Sequence, residues 1–260
     1  MEIIIESTKE EIIPIKITST YITGIYGKNY HDFLNLLSLN NLDKEKIIIN
    51  RTKVDKKNKS SIKDKISYVS FELKKEESIA SVREYMEYIM QEKFIKVKDS
   101  NKKLKDSLKI VGLSEVYLNK SINILSKSEL KLIQIAISLL SNPEIIILDE
   151  PFKFLDNKNT KKIYMLFQKL KDQYNKVIVV ASADTNTLYK YTEEIILLKG
   201  KNILMTGKTK DVLENVSFLN KEKIEPPDSV KFIYKAKKNK IKLDYNKDIR
   251  DIIKDIYKHV

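Results

Sequence analysis

Two runs of four to five aliphatic residues, Ile145–Leu148 and Val177–Ala181, constrain the fold of this chain more than any other feature. A helical pattern over Lys161–Tyr174 separates them, and another over Ser128–Leu140 precedes the first run. Strands that are apolar at every position are typical of a parallel sheet whose two faces are both covered by helices. The sequence therefore predicts an α/β fold built on a parallel sheet.

The remaining elements are weaker and surround this pattern. Further strands are predicted at positions 3–5, 12–17, 21–26, 47–49 and 66–69, with a helix at 32–42 and a charged loop at 51–64. From about Ile79 to Ile124 apolar residues recur every three or four positions, which predicts a helical insertion. A β-hairpin over Ile195–Met205, a break at Pro226-Pro227 and a small basic tail over Lys231–Val260 follow. With 260 residues, we expect one large α/β unit and a small appendage.

Composition excludes some classes of function. The chain has no cysteine, and His31 and His259 lie far apart, so neither a disulfide framework nor a zinc enzyme or metal cluster is expected. No apolar run approaches the roughly 18 residues that a membrane span needs, and the amino-terminal residues do not resemble a leader peptide. We expect a cytoplasmic protein whose membrane association comes through a partner.

The net charge of +13 leaves two interpretations open. The charge favours a polyanionic partner such as a nucleotide, a nucleic acid or an anionic membrane surface. A general compositional bias is the other interpretation, because lysine replaces arginine almost everywhere and isoleucine and asparagine are abundant. Charge alone does not select a partner.

An acid pair, Asp149-Glu150, ends the first aliphatic run and is followed by Pro151. On a parallel sheet this pair lies at the carboxyl end of a central strand, where ligands bind. Asp149 is then a candidate ligand of Mg²⁺, and Glu150 a candidate to position or deprotonate the water that attacks a γ-phosphate. A solvated strand end is the alternative.

The stretch from Leu125 to Glu129 precedes the helix that leads to the acid pair. Ser126 and Glu129 have the spacing of a capping box. The amides and dipole of the same helix end also favour a phosphate. The two interpretations are compatible, because a capped helix end can still face an anion.

The whole of Leu125–Asp156 resembles the signature, Walker B and D-loop block of ABC ATPases. The family signature Leu-Ser-Gly-Gly-Gln is matched at Leu125 and Ser126 but not at the next three residues, and Asp156 matches the D-loop. The resemblance implies a RecA-like P-loop NTPase core (the ABC ATPase fold) with an N-terminal β subdomain, a helical insertion and a small C-terminal extension. It divides the chain into a core at 1–70 and 126–215, a helical subdomain at 71–125, and a tail at 216–260 that is a candidate dimerisation element.

The resemblance also places a phosphate-binding Walker A loop over Gly24–His31, with Gly24 and Gly27 as its first two glycines. Three residues replace the family's third glycine, its phosphate-binding lysine and its Mg²⁺-binding hydroxyl: Asn29, Tyr30 and His31. One interpretation is a plain strand–turn–helix connection in which both glycines serve the turn. The other is a loop with residual phosphate binding, because Asn29 tolerates a left-handed backbone and Lys28 supplies a nearby cation.

Two further family positions depart from the pattern. Ala183 stands where the family has its switch histidine, and Phe71 stands where it has the Q-loop glutamine. The tail around Leu219–Lys221 and Ile224–Pro227 resembles the ATPases of energy-coupling-factor transporters, bacterial importers of vitamins and transition-metal ions.

What the resemblance implies is an ATP-binding-cassette subunit that is the degenerate, weakly active or inactive half of a heterodimer. Its partners would be a second ABC ATPase and an integral membrane subunit at the inner face of the cell membrane. Its cofactors would be ATP and Mg²⁺, if nucleotide binding is retained. An unusual but active ATPase is the first alternative. A basic ABC protein that binds nucleic acid is the second, and it is disfavoured because such proteins usually carry two cassettes in one chain.

Overall fold

The computed structural model describes residues 1–6, 15–41, 46–70, 80–92, 99–200 and 202–239. Some predicted features lie outside these ranges: the first residues of the strand at 12–17, the Q-loop position Phe71, and the tail from 240 onward.

The described residues form ten strands and ten α-helices. The strands are β1 (Glu2–Glu6), β2 (Ile15–Thr18), β3 (Ile22–Gly27), β4 (Lys46–Ile49), β5 (Thr52–Lys53), β6 (Ile66–Val69), β7 (Ile145–Asp149), β8 (Val177–Ala181), β9 (Glu194–Lys199) and β10 (Asn202–Lys208). The helices are α1 (Tyr30–Leu37), α2 (Lys59–Lys63), α3 (Val82–Glu92), α4 (Ser100–Val111), α5 (Lys127–Ser138), α6 (Asn157–Tyr174), α7 (Thr185–Tyr191), α8 (Thr209–Leu213), α9 (Val216–Lys221) and α10 (Asp228–Lys238).

The central sheet has six strands in the order β10-β9-β3-β8-β7-β6. All neighbours pair in parallel except the β9–β10 hairpin, which is antiparallel. The two aliphatic runs are the adjacent strands β7 and β8, every residue of which is buried. The predicted parallel sheet covered on both faces is confirmed.

A second sheet, antiparallel and in the order β2-β1-β4-β5, lies over one face of the first. Alternate residues of β7 enter different cores. Ile145 and Ile147 pack with α1 and the small sheet, whereas Ile146 and Leu148 pack among the larger helices. This division follows from the two-residue period of a strand, which sends successive side chains to opposite faces.

Residues 80–124 are helical where described, as predicted: α3 and α4 are followed by two short 3-10 helices, Glu115–Asn119 and Ile122–Ile124. An isolated β-bridge between Ser81 and Ser121 closes this unit at its base. No helix in the described part of the chain is long and apolar enough to cross a membrane.

Two element predictions were incomplete. The segment at 51–64, predicted as a loop, contains β5 and α2, and α7 was not predicted at all. These three elements have two to seven residues and few apolar positions, so they carry too little periodicity to be recognised from sequence.

Candidate functional site

Three segments meet at the carboxyl edge of the central sheet. Ala181, the last residue of β8, pairs with Asp149 of β7 on one side and with Ile25 of β3 on the other. The loop that follows β3, the acid pair that follows β7 and the segment that follows β8 are therefore adjacent. This is the edge at which the sequence placed its candidate site.

Packing alone requires glycine at both retained positions of the loop. A Cβ on Gly24 would lie 2.8 Å from Thr192 Oγ1. Gly27 has φ +153°, and a Cβ there would lie 2.5 Å from the backbone oxygen of Leu198. Both glycines thus let β3 approach its neighbours closely, which accounts for them without a ligand.

The rest of the loop keeps a left-handed turn. Asn29 has φ 64° and ψ 30° and lies immediately before α1, without a side-chain capping bond. The conformation expected for Asn29 is confirmed. Lys28, beside it, is exposed.

Tyr30 begins α1 and points inward. Its side chain is 6% exposed, and its hydroxyl donates to Asp149 Oδ1 at 2.7 Å. Burial, followed by the hydrogen bond to the Asp149 carboxylate, raises the pKa of the Tyr30 phenol well above its usual value. Tyr30 is therefore a neutral donor at the position where the family has a lysine.

His31 contacts the second carboxylate oxygen of Asp149, and its own side chain is exposed to solvent. Its Nε2 lies 3.2 Å from Asp149 Oδ2, and its ring stacks on Tyr30 with 4.4 Å between centroids and 20° between planes. Asp149 itself is 1% exposed. Both carboxylate oxygens of Asp149 are thus engaged by side chains of the loop.

These residues do not fit a magnesium nucleotide. Mg²⁺ prefers oxygen ligands in near-ideal octahedral geometry, and the loop offers it a phenol and an imidazole that already bind Asp149. Cations and helix-end amides are what usually cradle phosphates, and the lysine of the pattern is absent. The contacts from Tyr30 and His31 therefore occupy the carboxylate that was the candidate ligand of Mg²⁺.

Glu150 is held by the segment after β8. Ser182 Oγ donates to Glu150 Oε2 at 2.9 Å, and the Ala183 amide donates to Glu150 Oε1 at 2.6 Å. Glu150 also has a left-handed backbone, with φ 48°. Ala183 therefore lies at the predicted place, but it meets the acid pair through its backbone rather than through a side chain.

Lys131 is a residue of this region that the sequence did not identify. It lies on α5, is 2% exposed, and interacts electrostatically with Asp149 and Glu150. Burial lowers its pKa to about 8, against a partial rise from the two carboxylates. It stands between two leucines on a helix, and no sequence pattern marks such a lysine as buried.

The predicted capping box at the signature position is confirmed. Ser126 is the N-cap of α5, and its amide and hydroxyl each donate to Glu129 Oε2 at 2.8 Å. Tyr117 donates to the other oxygen of Glu129 at 2.6 Å. These hydrogen bonds, led by the one from Tyr117, lower the pKa of Glu129 to about 2.

Replacing Glu129 by Gln is expected to lower the free energy of unfolding by about 1–2 kcal/mol at pH 7. Because the pKa of Glu129 is lowered in the folded chain, its stabilisation is present above pH 4.5 and is lost as the pH falls toward 2. Urea unfolding of both chains at pH 7 and pH 3.5 measures this, with Glu115→Gln, at an exposed ion pair with Lys105, as control. A difference independent of pH would contradict this assignment.

The other predicted signature and D-loop residues have contacts that account for them structurally. Leu125 is buried, at 9% exposure, and Asp156 caps α6 by accepting from the Asn159 amide at 2.7 Å. Lys127 Nζ lies 4.9 Å from the ring centroid of Phe154, a residue with φ 71°. The signature and D-loop segments thus contact each other.

Comparison with known proteins finds similarity to ATP-binding proteins of ABC transporters. The family profile described as ABC transporter matches residues 32–153. The energy-coupling factor transporter ATP-binding protein EcfA3 of Oenococcus oeni is 32% identical over 165 residues, which are 63% of this chain and 57% of that protein. The corresponding protein EcfA of Aster yellows witches'-broom phytoplasma is 28% identical over 225 residues, 85% of this chain and 80% of that protein.

Solved structures show the same fold. A bacterial ABC transporter cassette, solved as a dimer, superposes with a TM-score of 0.68 at 23% identity, covering 80% of this chain and 98% of that one. The chain spans about half the length of several of the curated relatives that it matches, 53% to 57% for three of them. The order of the sheet and this structural likeness show that the chain has the fold of an ABC ATPase cassette, and its residues 32–153 match the ABC transporter family.

Proposed function

We propose that this protein is the nucleotide-binding-cassette subunit of an energy-coupling-factor importer and the weakly active or inactive half of a heterodimer. The assignment to an importer rests on the relatives, which are named energy-coupling factor transporter ATP-binding proteins. The assignment to the inactive half rests on one observation, the engagement of both Asp149 oxygens by Tyr30 and His31.

Electrostatics supports the loss of nucleotide affinity. A lysine ammonium beside a triphosphate contributes several kcal/mol in a partly buried site, whereas a neutral phenol contributes only one hydrogen bond. Tyr30 is buried against Asp149, and Asp32 adds a negative charge to the first turn of α1. Ala183 has no side chain that could contact a γ-phosphate.

A subunit that does not hydrolyse ATP needs partners that do so and that carry out transport. A second ABC ATPase subunit would bind ATP and Mg²⁺ with an intact loop, and an integral membrane subunit would receive the conformational change. In this arrangement the core at 1–70 and 126–215 has a structural role, and the tail from 216 is the candidate contact between subunits. We expect no nucleic acid among the partners.

An unusual but active ATPase remains the second candidate, and one observation favours it. Asn29 has a left-handed backbone, and Lys28 beside it is exposed. A cation at Lys28 would then replace the missing lysine.

Calorimetric titration of the purified chain with ATP and Mg²⁺ tests the proposal directly. We expect no saturation up to about 1 mM ATP, the upper end of usual substrate affinities. Phosphate release is measured in parallel, with Glu150→Gln as the control for turnover. Saturable binding in the micromolar range, with turnover abolished in Glu150→Gln, would contradict the proposal and support the active ATPase.

A further inference from the structure

The first turn of α10 is capped by a residue of another helix. Pro227, which precedes α10, provides no side-chain capping bond. The amide of Asp228 instead donates to Asn186 Oδ1, on α7, at 2.8 Å. An exposed helix start normally finds its cap in the preceding residue, so this contact ties α10 to α7.

A second bond strengthens the same junction. Thr185 Oγ1 donates to the backbone oxygen of Glu225 at 2.8 Å, and Thr185 is 5% exposed. Pro226 and Pro227, between the two contacts, are buried. The segment that leads into α10 therefore lies against the start of α7.

The start of α7 in turn continues into the segment that holds Glu150. Asn186 Nδ2 donates to Asp184 Oδ1 at 3.1 Å, and the Asp184 amide donates to Ser182 Oγ at 3.1 Å. Ser182 Oγ and the Ala183 amide both donate to the Glu150 carboxylate. A continuous set of hydrogen bonds thus runs from α10 to the second acid of the pair.

We propose that Asn186 is a positioning residue that couples the docking of the C-terminal helix α10 to the hydrogen bonds that hold Glu150. Its amide group accepts from α10 on one side and donates to Asp184 on the other. The docked face of α10 is fully apolar at Val230 and Ile233, which are 0% and 1% exposed. Displacement of α10 removes the Asn186 contact and loosens the segment at 182–184. This coupling lies within the chain and does not depend on nucleotide binding.

Two substitutions at Asp228 isolate the hydrogen bond from the Asp228 amide to Asn186 Oδ1. Asp228→Pro removes the amide that donates to Asn186, at the first helical position, where proline is well tolerated. Asp228→Ala keeps the amide, and both variants lose the ion pair to Lys231. The two chains therefore differ mainly in one backbone donor.

The readout is the hydrogen-exchange rate of the Ala183 amide in the full-length chain, measured by NMR. We expect exchange at Ala183 to be at least about tenfold faster in Asp228→Pro than in Asp228→Ala, while β7 amides are unchanged. Equal rates at Ala183 would overturn the proposal. An equal acceleration in β7 would also overturn it, because that pattern marks general destabilisation.

A variant on the other side of the contact gives an independent test. Asn186→Ala removes the acceptor, and we expect it to accelerate exchange at Ala183 by a similar factor. In the double variant, Asp228→Pro is expected to add nothing to the effect of Asn186→Ala, since Asn186→Ala alone already removes the contact with α10. An unchanged rate at Ala183 in Asn186→Ala would overturn the proposal even if Asp228→Pro failed to fold.

Discussion

We expect a chain with the Walker A pattern restored in the loop after β3 to bind ATP with Mg²⁺ at least about 100-fold more tightly than the natural chain. The substitutions are Asn29→Gly, Tyr30→Lys and His31→Thr. A lysine and a hydroxyl would each add a charge-assisted contact of about 1.5–3 kcal/mol, and about 1.4 kcal/mol corresponds to a factor of ten. The substitutions also release both oxygens of Asp149 from Tyr30 and His31. Calorimetric titration of both chains under the same conditions measures the gain.

The matched control is Tyr30→Phe with His31→Ala. It removes the same two contacts to Asp149 but supplies neither a cation nor a hydroxyl, so we expect no gain in affinity. Equal binding by the restored chain and the control, with both folded, would show that the loop is not what limits nucleotide binding. We expect no turnover from the restored chain alone, because Ala183 still replaces the switch histidine.

Replacing the buried Lys131 by Met is expected to raise the free energy of unfolding by about 3 kcal/mol at pH 7. Burial lowers the Lys131 pKa from 10.5 to about 8, a difference of 2.5. At about 1.36 kcal/mol for each pH unit, the charged form costs the folded chain about 3 kcal/mol, with the attraction of Asp149 and Glu150 already included. Met keeps the length and apolar volume of the side chain without this cost.

The sign of the pH dependence makes the prediction specific. Between pH 8 and pH 10.5 the unfolded chain retains a proton that the folded chain has released, so Lys131 makes the natural chain more stable as the pH rises. The advantage of Lys131→Met should therefore disappear near pH 10.5. Urea unfolding followed by circular dichroism at pH 7, 9 and 10.5 measures it, and the exposed Lys161→Met is the control. An advantage that persists at pH 10.5 would contradict the prediction.

If the Lys131→Met chain is more stable, Lys131 is retained for a role other than folding. Stabilising substitutions are common where a residue is retained for a role other than folding. Lys131 interacts with both acids of the pair, so that role would be to place positive charge behind Asp149 and Glu150.

The parts of the fold that could be predicted from sequence are those with a strong local pattern. Strands β7 and β8 were found because four or five consecutive aliphatic residues have few other stable arrangements. The capping box of α5 was found because Ser126 and Glu129 are three residues apart. In contrast, α7 has few apolar residues and packs mainly against α8 and β3, and a local pattern does not contain such contacts.

The candidate site was predictable in its location but not in its bonding. The sequence placed Tyr30 and Asp149 at one edge of the sheet, because both follow parallel strands. It did not predict that the Tyr30 hydroxyl binds a carboxylate 119 residues away. Such a contact depends on where β3 and β7 end relative to each other, and the register of the assembled sheet determines this.

The order of strands in the central sheet has a consequence for synthesis of the protein. Strand β3 ends at Gly27, but both of its neighbours, β8 and β9, begin at Val177 or later. The 150 residues from position 27 to position 177 take about 8–30 s to translate at about 5–20 residues per second. During this time β3 has no partner strand. Its unpaired backbone groups are exposed on the ribosome during this interval, and such a strand edge is a template for pairing with another chain.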